Sequence, residues 1–569
     1  MLSHPWLPSY PAGLEWTAPV DVAPVQEILD DAVARWGDRP AIDFMGRKIA
    51  YRELGTLVER AAKGLQALGI GPGKHVGLYL PNTPHTVISF FAILKAGGVV
   101  VNYSPLDAEK VLEHKVDDSD TDFIITLNLA ALYPQMARLL GKTRLKGLIV
   151  GELAEMSADP AATRQHMAAA KQVVPIPSDE QHIPFDKLLS NDGRYRPYPI
   201  ADVTKTIAVL QYTGGTTGLP KGAMLTHANL SAASHQYWMT TQGDHRLVND
   251  GEERTLVALP LFHIYALTAN LLFCMRIGAE LIMHARFELE PVLKDIERKR
   301  VSIFFGVPTM YLGMLSYPGI KDIDLSSLKY CSSGGAPCPV EVLHQFKEKT
   351  GCDISEGWGM TETSPAGTFM PTGRPPKPGS CGIPLPGITL KFISVTDPDS
   401  EVPLGERGEL CVSGPNVMLG YWKNENATAE MRTKDGFLRT GDVGYMDSDG
   451  YVFIVDRIKD MLLCGGYNVY PRNIEEAIYQ HPAVAEVCVI GVPDAYRGQS
   501  PKAFVALKPG SLKISLEEMK SFLKSRLGKH EMISELELRD ALPRTPIGKL
   551  SKKDLIEEET RKRAQAGQV

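Results

Sequence analysis

Residues 74–102 constrain the fold more than any other stretch of this 569-residue chain. KHVGLYL (74–80) is rich in strand formers, and the polar turn Pro81-Asn82-Thr83-Pro84 follows it. Residues 85–96 then space their apolar side chains as a helix does, Gly97-Gly98 stops them, and VVVN (99–102) is a second apolar run. Strand, helix and strand in that order predict a βαβ unit, whose strands lie parallel in a sheet covered by helices. Similar runs recur at 206–211, 301–305 and 328–332, the first and last leading into Gly214-Gly215 and Gly334-Gly335. The expected class is α/β within a multidomain α+β chain, with a large N-terminal body of βαβ-type subdomains. Between about 152 and 202 apolar runs are missing, so that polar, proline-dotted stretch is expected to be mostly loop.

After about residue 385 the pattern changes. Residues 389–394, 408–413 and 450–455 are short strand-like runs between Asp/Gly turns, which predicts a β-rich, antiparallel subdomain. Beyond Arg457 a helix is expected at 471–480, strands at 484–492 and 502–508, and an amphipathic helix at 516–527. The natural division is 1–456 and 457–569, a small C-terminal α+β unit following a larger body. The run Arg561-Lys562-Arg563 reads as a solvated tail.

Composition excludes several classes. A net charge of −6 gives a nucleic-acid role no electrostatic support. The eight cysteines form no C-x-x-C pair and no His/Cys zinc pattern, and read as reduced residues of a cytosolic protein. The first sixteen residues carry Pro5, Pro8 and Pro11 and no apolar run, so no signal peptide is expected. The stretch 264–283 is apolar but interrupted by Asn270, Arg276 and Glu280, which predicts a buried helix followed by a strand, not a membrane span.

The segment richest in chemistry is YTGGTTGLPKG (212–222), which follows an apolar strand. Glycines let backbone amides approach an anion, and hydroxyls and a lysine complete a phosphate cradle. It is neither a Walker A loop, because Lys221 precedes Gly222 and no Ser or Thr follows the lysine, nor G-x-G-x-x-G.

That loop, extended to YTGGTTGLPKGAMLTH, resembles the signature of the adenylate-forming superfamily, which comprises acyl-CoA synthetases, luciferases and adenylation domains of peptide synthetases. The resemblance spans nearly the whole chain. LPLFHIYAL (259–267), SSGGAPCP (332–339), EGWGMTET (356–363), TGD (440–442), VDRIKDMLLCGGYNVYP (455–471) and PRTPIGK (543–549) follow in the family's order. HPWLPSYP near the start, PNVMLGYW (415–422) and GGYNVYPRNIEE (465–476) most resemble bacterial long-chain fatty acid–CoA ligases. The implied fold is that superfamily's large N-terminal domain with a small mobile lid, turning about Lys459.

The implied chemistry has two steps. A carboxylate resists nucleophilic attack until AMP is transferred to it, and joining two anions demands fixed donors and positive charge. The resemblance implies ATP binding by Thr213, Gly214, Gly215, Thr216, Thr217, Gly218 and Lys221 at the β- and γ-phosphates. Gly335, Ala336, Glu356 and Gly357 would lie along the adenine edge, and Trp358, where a tyrosine is common, would stack on it. Asp442 would accept ribose hydroxyls, and Arg457 would reach ribose or phosphate. Glu362, beside Thr361, would bind Mg²⁺. His263 would face the substrate carboxylate and α-phosphate, with Tyr265 and Val307 beside the acyl chain. Lys549 would insert between acid and α-phosphate in the first step. CoA would then meet Gly465 and Gly466, where a side chain would obstruct pantetheine. Arg286 resembles a basic CoA-contacting position.

The reading is an ATP-dependent ligase of medium- or long-chain fatty acids. An aryl or cinnamate-type acid fits the same blocks, and luciferase-type chemistry is compatible with them. An amino acid is disfavoured, because His263 and Ile264 stand where an ammonium-binding Asp is usual. A non-catalytic nucleotide or acyl-CoA sensor is disfavoured by the joint presence of Lys221, Glu362, Asp442, Arg457 and Lys549. The resemblance also implies control by acetylation of Lys549, with an acetyltransferase and a deacetylase as partners. The expected location is cytoplasmic, and a lipid substrate is compatible with peripheral membrane contact.

Overall fold

The predicted βαβ unit forms. In the computed structural model, strands His75–Leu78 and Val99–Asn102 lie parallel, joined by helix Pro84–Lys95, every residue of which is buried. The structure describes residues 4–213, 220–336, 338–464, 467–494, 496–545 and 550–565. The two strands are buried at every position, as continuous apolar runs with both sheet faces covered should be.

They belong to an eight-stranded sheet, in the order Gly420–Tyr421, Lys221–Thr226, Ile207–Thr213, Val99–Asn102, His75–Leu78, Thr121–Leu127, Gly147–Gly151 and His182–Pro184. The pairs are parallel except at the first end, where Lys221–Thr226 runs antiparallel to both of its neighbours. A seven-stranded sheet runs Ile354–Glu356, Tyr330–Ser333, Ile303–Gly306, Arg254–Val257, Glu280–Met283, Pro40–Phe44 and Arg47–Ala50, parallel up to its last pair. Two amides bridge these sheets where their strands end. Asn82 donates to the carbonyls of Leu259 (2.9 Å) and Val257 (3.3 Å) and accepts from the Leu261 N–H at 2.8 Å. Gln211, one strand residue before the glycine loop's tyrosine, donates to the Phe262 carbonyl at 2.9 Å. The glycine loop and the FHIY segment therefore start from one shared corner.

The β-rich part also forms, as an antiparallel sheet of Thr389–Ile393, Gly408–Ser413, Leu438–Met446 and Val452–Arg457. Past it, Tyr467–Val469, Leu462–Cys464, Gly498–Leu507 and Val484–Asp494 make a second antiparallel set, to which Glu535–Arg539 adds in parallel. Helix Pro471–Tyr479 packs its buried Ile474, Ala477 and Ile478 on that set.

Three expectations need correction. Residues 152–202 contain helices Pro160–Ala169 and Phe185–Leu189 and the edge strand His182–Pro184. The first begins on an Asp159 cap and Pro160, but Met167 is its sole buried side chain, so no apolar period announced it. The amphipathic helix expected at 516–527 ends at Leu523. Arg561-Lys562-Arg563 is no free tail, for it lies in helix Lys552–Gln565. Arg563 pairs with Glu535 and Glu559, and Lys562 with Glu537 and Glu558. Read alone, the basic run hides the acidic strand that receives it.

The N-terminal arm docks by an unusual ladder. The N–H groups of Asp21, Ala23 and Val25 donate to His235 Nδ1 (2.9 Å), Ser231 Oγ (3.0 Å) and His227 Nδ1 (3.1 Å), one helical turn apart on His227–Thr240. Both imidazoles must be neutral to accept. Burial keeps them so, pushing His227 down to about 4 and lowering His235, to which Arg276 adds. The arm continues to Trp16, whose indole N–H donates to the Ile388 carbonyl, and begins with Tyr10, whose hydroxyl donates to the Pro384 carbonyl.

Candidate active site

Asp442 organises one half of the site. The pairing of Leu438–Met446 with Val452–Arg457 sets Asp442 directly opposite Arg457. Arg457 Nε donates to Asp442 Oδ1 at 2.8 Å, and the Trp358 indole N–H donates to Oδ2 at 2.7 Å. Thr440 holds the turn, accepting the Asp442 N–H at 3.0 Å while its hydroxyl donates to the Leu410 carbonyl at 2.7 Å. Asp442 is buried, yet each carboxylate oxygen has a second lone-pair direction, so the group retains capacity for two further donors.

Trp358 is held by its own backbone, whose N–H donates to Thr368 Oγ1 at 2.8 Å. The neighbouring glycines are demanded by space. A Cβ on Gly359 would stand 1.3 Å from the Pro365 carbonyl oxygen, and one on Gly357 2.8 Å from that of Thr368. Glu356 ends its strand opposite Ser333 and accepts the Cys338 N–H at 2.9 Å. Burial pushes the Glu356 carboxyl up to about 7, the Cys338 N–H and the Arg472 charge opposing.

Glu362 lies in the short turn Thr361–Thr363 and is buried. The Tyr421 hydroxyl donates to Glu362 Oε1 at 2.6 Å. Burial raises the Glu362 carboxyl above the usual carboxylate range, and that hydrogen bond opposes the rise. The same Tyr421 ring lies 5.2 Å beneath Lys221 Nζ, and Lys221 faces Thr213 across the strand pair. One tyrosine thus joins the carboxylate to the phosphate-loop lysine. Among the described residues no three His, Cys, Asp or Glu side chains are grouped to hold a metal ion. A lone buried carboxylate fits Mg²⁺ carried largely by phosphate oxygens and water.

A narrow apolar pocket completes the arrangement. Pro260, His263, Tyr265, Ala266, Val307 and Gly335 line it, so two sequence blocks meet there with Val307, which lies in neither. His263 caps the helical turn Ile264–Ala266, its Nδ1 accepting the Tyr265 N–H at 3.3 Å. The Tyr265 hydroxyl reaches Ser332 at 3.3 Å, and its ring passes so close to Gly334 that a Cβ there would meet it at 2.8 Å.

The structure therefore gathers His263, Tyr265, Val307 and Gly335 at the pocket, Trp358, Asp442 and Arg457 in one hydrogen-bonded set, and Glu362 and Lys221 on Tyr421. Ala336 follows Gly335 in the same bend. Lys459 is exposed, two residues beyond Arg457. Arg286 is also exposed and pairs with Glu288, two residues on. Gly214, Gly215, Thr216, Thr217, Gly218, Gly465, Gly466 and Lys549 lie outside the described residues. Sequence reading missed Tyr421, although it sits in the PNVMLGYW block, and Thr368, which no motif contains.

Comparison with known proteins identifies the family. Residues 29–422 match the family described as AMP-binding enzyme, and residues 473–549 match its C-terminal domain. A long-chain-fatty-acid–CoA ligase of Bacillus subtilis (strain 168) is 38% identical, with 98% of each chain covered. One from Escherichia coli O6:H1 is 35% identical over 97% of this chain and 98% of its own. The crystal structure of the anthranilate CoA ligase AuaEII in complex with anthranoyl-AMP superposes with a TM-score of 0.83 at 26% identity, covering 96% of this chain and 99% of that one. The chain belongs to the AMP-binding enzyme family, the adenylate-forming superfamily that its motifs resemble.

Proposed function

We propose that this enzyme is an ATP-dependent fatty acid–CoA ligase of medium- or long-chain acids. The observation that carries the reading is the meeting of His263, from the substrate block, and Gly335, from the nucleotide block, in the lining of one narrow apolar pocket. In this reading the fatty carboxylate would lie by His263, facing the α-phosphate. The relatives acting on long-chain fatty acids at 35–38% identity support the same choice.

In the first step a carboxylate oxygen attacks the α-phosphorus of ATP and pyrophosphate leaves, giving an acyl-adenylate. Thr213, Lys221 and the glycine loop hold the β- and γ-phosphates, and Asp442 takes the ribose hydroxyls while Arg457 reaches the sugar or phosphate. Glu362, with Thr361 beside it, would hold Mg²⁺, which when bound offsets phosphate charge. Lys549 supplies positive charge between the two reacting anions. In the second step the CoA thiol adds to the acyl carbonyl and AMP leaves with the bonding electrons of the anhydride. The C-terminal unit, 457–569, turns about Lys459 between the steps, withdrawing Lys549 and bringing Gly465-Gly466 to the adenylate.

A second reading, an aryl or cinnamate-type acid, draws on the narrowness of the pocket, which Tyr265 lines while lying close against Gly334. CoA-dependent AMP release measured over straight-chain acids of about eight to eighteen carbons, with benzoate and coumarate alongside, separates the two. Turnover of the straight-chain acids supports the proposal. Turnover confined to the aryl acids overturns it in favour of the second reading.

A further inference from the structure

The helix Glu109–Asp118 lies in none of the motif blocks, yet it touches the phosphate loop's base on both sides. Asp118 Oδ2 accepts the Tyr212 hydroxyl at 2.5 Å, immediately before Thr213. On the return side, His114 Nε2 meets the Pro220 carbonyl at 3.3 Å, immediately before Lys221. The backbone of Asp118 is used as well. Its carbonyl accepts the Trp422 indole N–H and Lys423 Nζ, each at 2.9 Å. Trp422 in turn donates its own N–H to the Gly222 carbonyl at 2.8 Å, next to Lys221. Tyr212 and Gly222 are register partners, and a Cβ on Gly222 would meet the tyrosine ring at 3.3 Å.

Local preference alone would not place an aspartate here. A carboxylate on the last residue of a helix faces the negative end of the helix dipole. A residue kept against its local electrostatics, hydrogen-bonded to a buried phenol, is explained by what it holds. Tyr212 is a buried residue, 7% exposed, so an unpartnered hydroxyl there is costly.

The geometry points to Asp118 as a positioning residue for ATP, acting through the Tyr212 hydroxyl to fix where the phosphate loop leaves its strand. This rests on the proposed function, in which that loop holds the triphosphate. Asp118 itself touches no phosphate, and its role is to set the direction of the Thr213 and Lys221 pair.

The test uses the full-length enzyme. Tyr212→Phe keeps the ring and removes the hydroxyl, and Asp118→Ala removes the carboxylate while leaving the backbone carbonyl to Trp422 and Lys423. Each variant, and the double, is assayed for acid-dependent pyrophosphate–ATP exchange and for thioester formation from supplied acyl-adenylate and CoA. The expected result is a rise of about tenfold in KM for ATP in each single variant. No further rise is expected in the double, and thioester formation should stay within about twofold. An unchanged KM for ATP, additive effects in the double, or equal loss in both half-reactions would overturn the proposal. Absence of exchange in the parent enzyme would instead overturn the function on which it rests.

Discussion

Replacing Lys549 with alanine should lower acid-dependent pyrophosphate–ATP exchange by a factor of about a hundred or more, and leave thioester formation from supplied acyl-adenylate standing. Fatty acid and ATP are both anionic, so the first transition state gathers negative charge at the α-phosphorus, where an ammonium is most effective in a site without water. The second step is attack on the uncharged carbonyl of the mixed anhydride, which no longer joins two anions and has less such need. The described residues on either side of Lys549 are tied to one another: the Ser551 N–H donates to the Pro543 carbonyl at 2.8 Å, and Arg544 bridges to Leu550. Three residues beyond Lys549, the half-buried Lys552 pairs with Glu475 at 3.3 Å, which anchors the following helix. Comparable loss in both half-reactions would contradict a role confined to the first.

Asp442→Asn should also cost about two orders of magnitude in exchange, mostly through KM for ATP. Both native oxygens accept from N–H donors, so an amide must aim its own N–H₂ at one of them. The Trp358 side is buried, whereas the Arg457 side chain is 45% exposed and free to leave. The amide oxygen therefore stays with Trp358 and the N–H₂ displaces Arg457 from the place proposed for it at the ribose or phosphate. One ribose acceptor is lost in the same exchange of atoms. Near-normal KM for ATP in this variant, measured with the thermal midpoint to confirm folding, would remove Asp442 from the nucleotide site.

Much of the architecture was legible because it repeats locally. The 85–96 spacing, the Gly97-Gly98 stop and the VVVN run are contiguous, and the parallel unit they predict forms as read. The blocks holding His263, Gly335, Trp358, Glu362 and Asp442 were also readable one by one. What no block revealed is who holds whom. Trp358 and Asp442 are 84 residues apart, Tyr421 and Glu362 59, and Asp118 and Trp422 304. Such pairs leave no period in the sequence, because the sheets and not the chain bring them together. The same reason hid the acidic partners of Arg563 and left Asp118 unread. Helix Pro160–Ala169 went unread for the opposite reason, since it carries a cap but almost no buried face.

One experiment reaches the central chemistry directly, the transfer of AMP to a fatty carboxylate. A straight-chain fatty acid carrying ¹⁸O in both carboxyl oxygens is turned over with ATP and CoA, and the products are weighed by mass spectrometry. Attack by the carboxylate on the α-phosphorus, followed by thiolysis of the carbonyl, places one labelled oxygen in AMP and leaves the other in the acyl-CoA. Pyrophosphate stays unlabelled. AMP without label, or label in pyrophosphate or phosphate, would contradict an acyl-adenylate intermediate and with it the function assigned to this site.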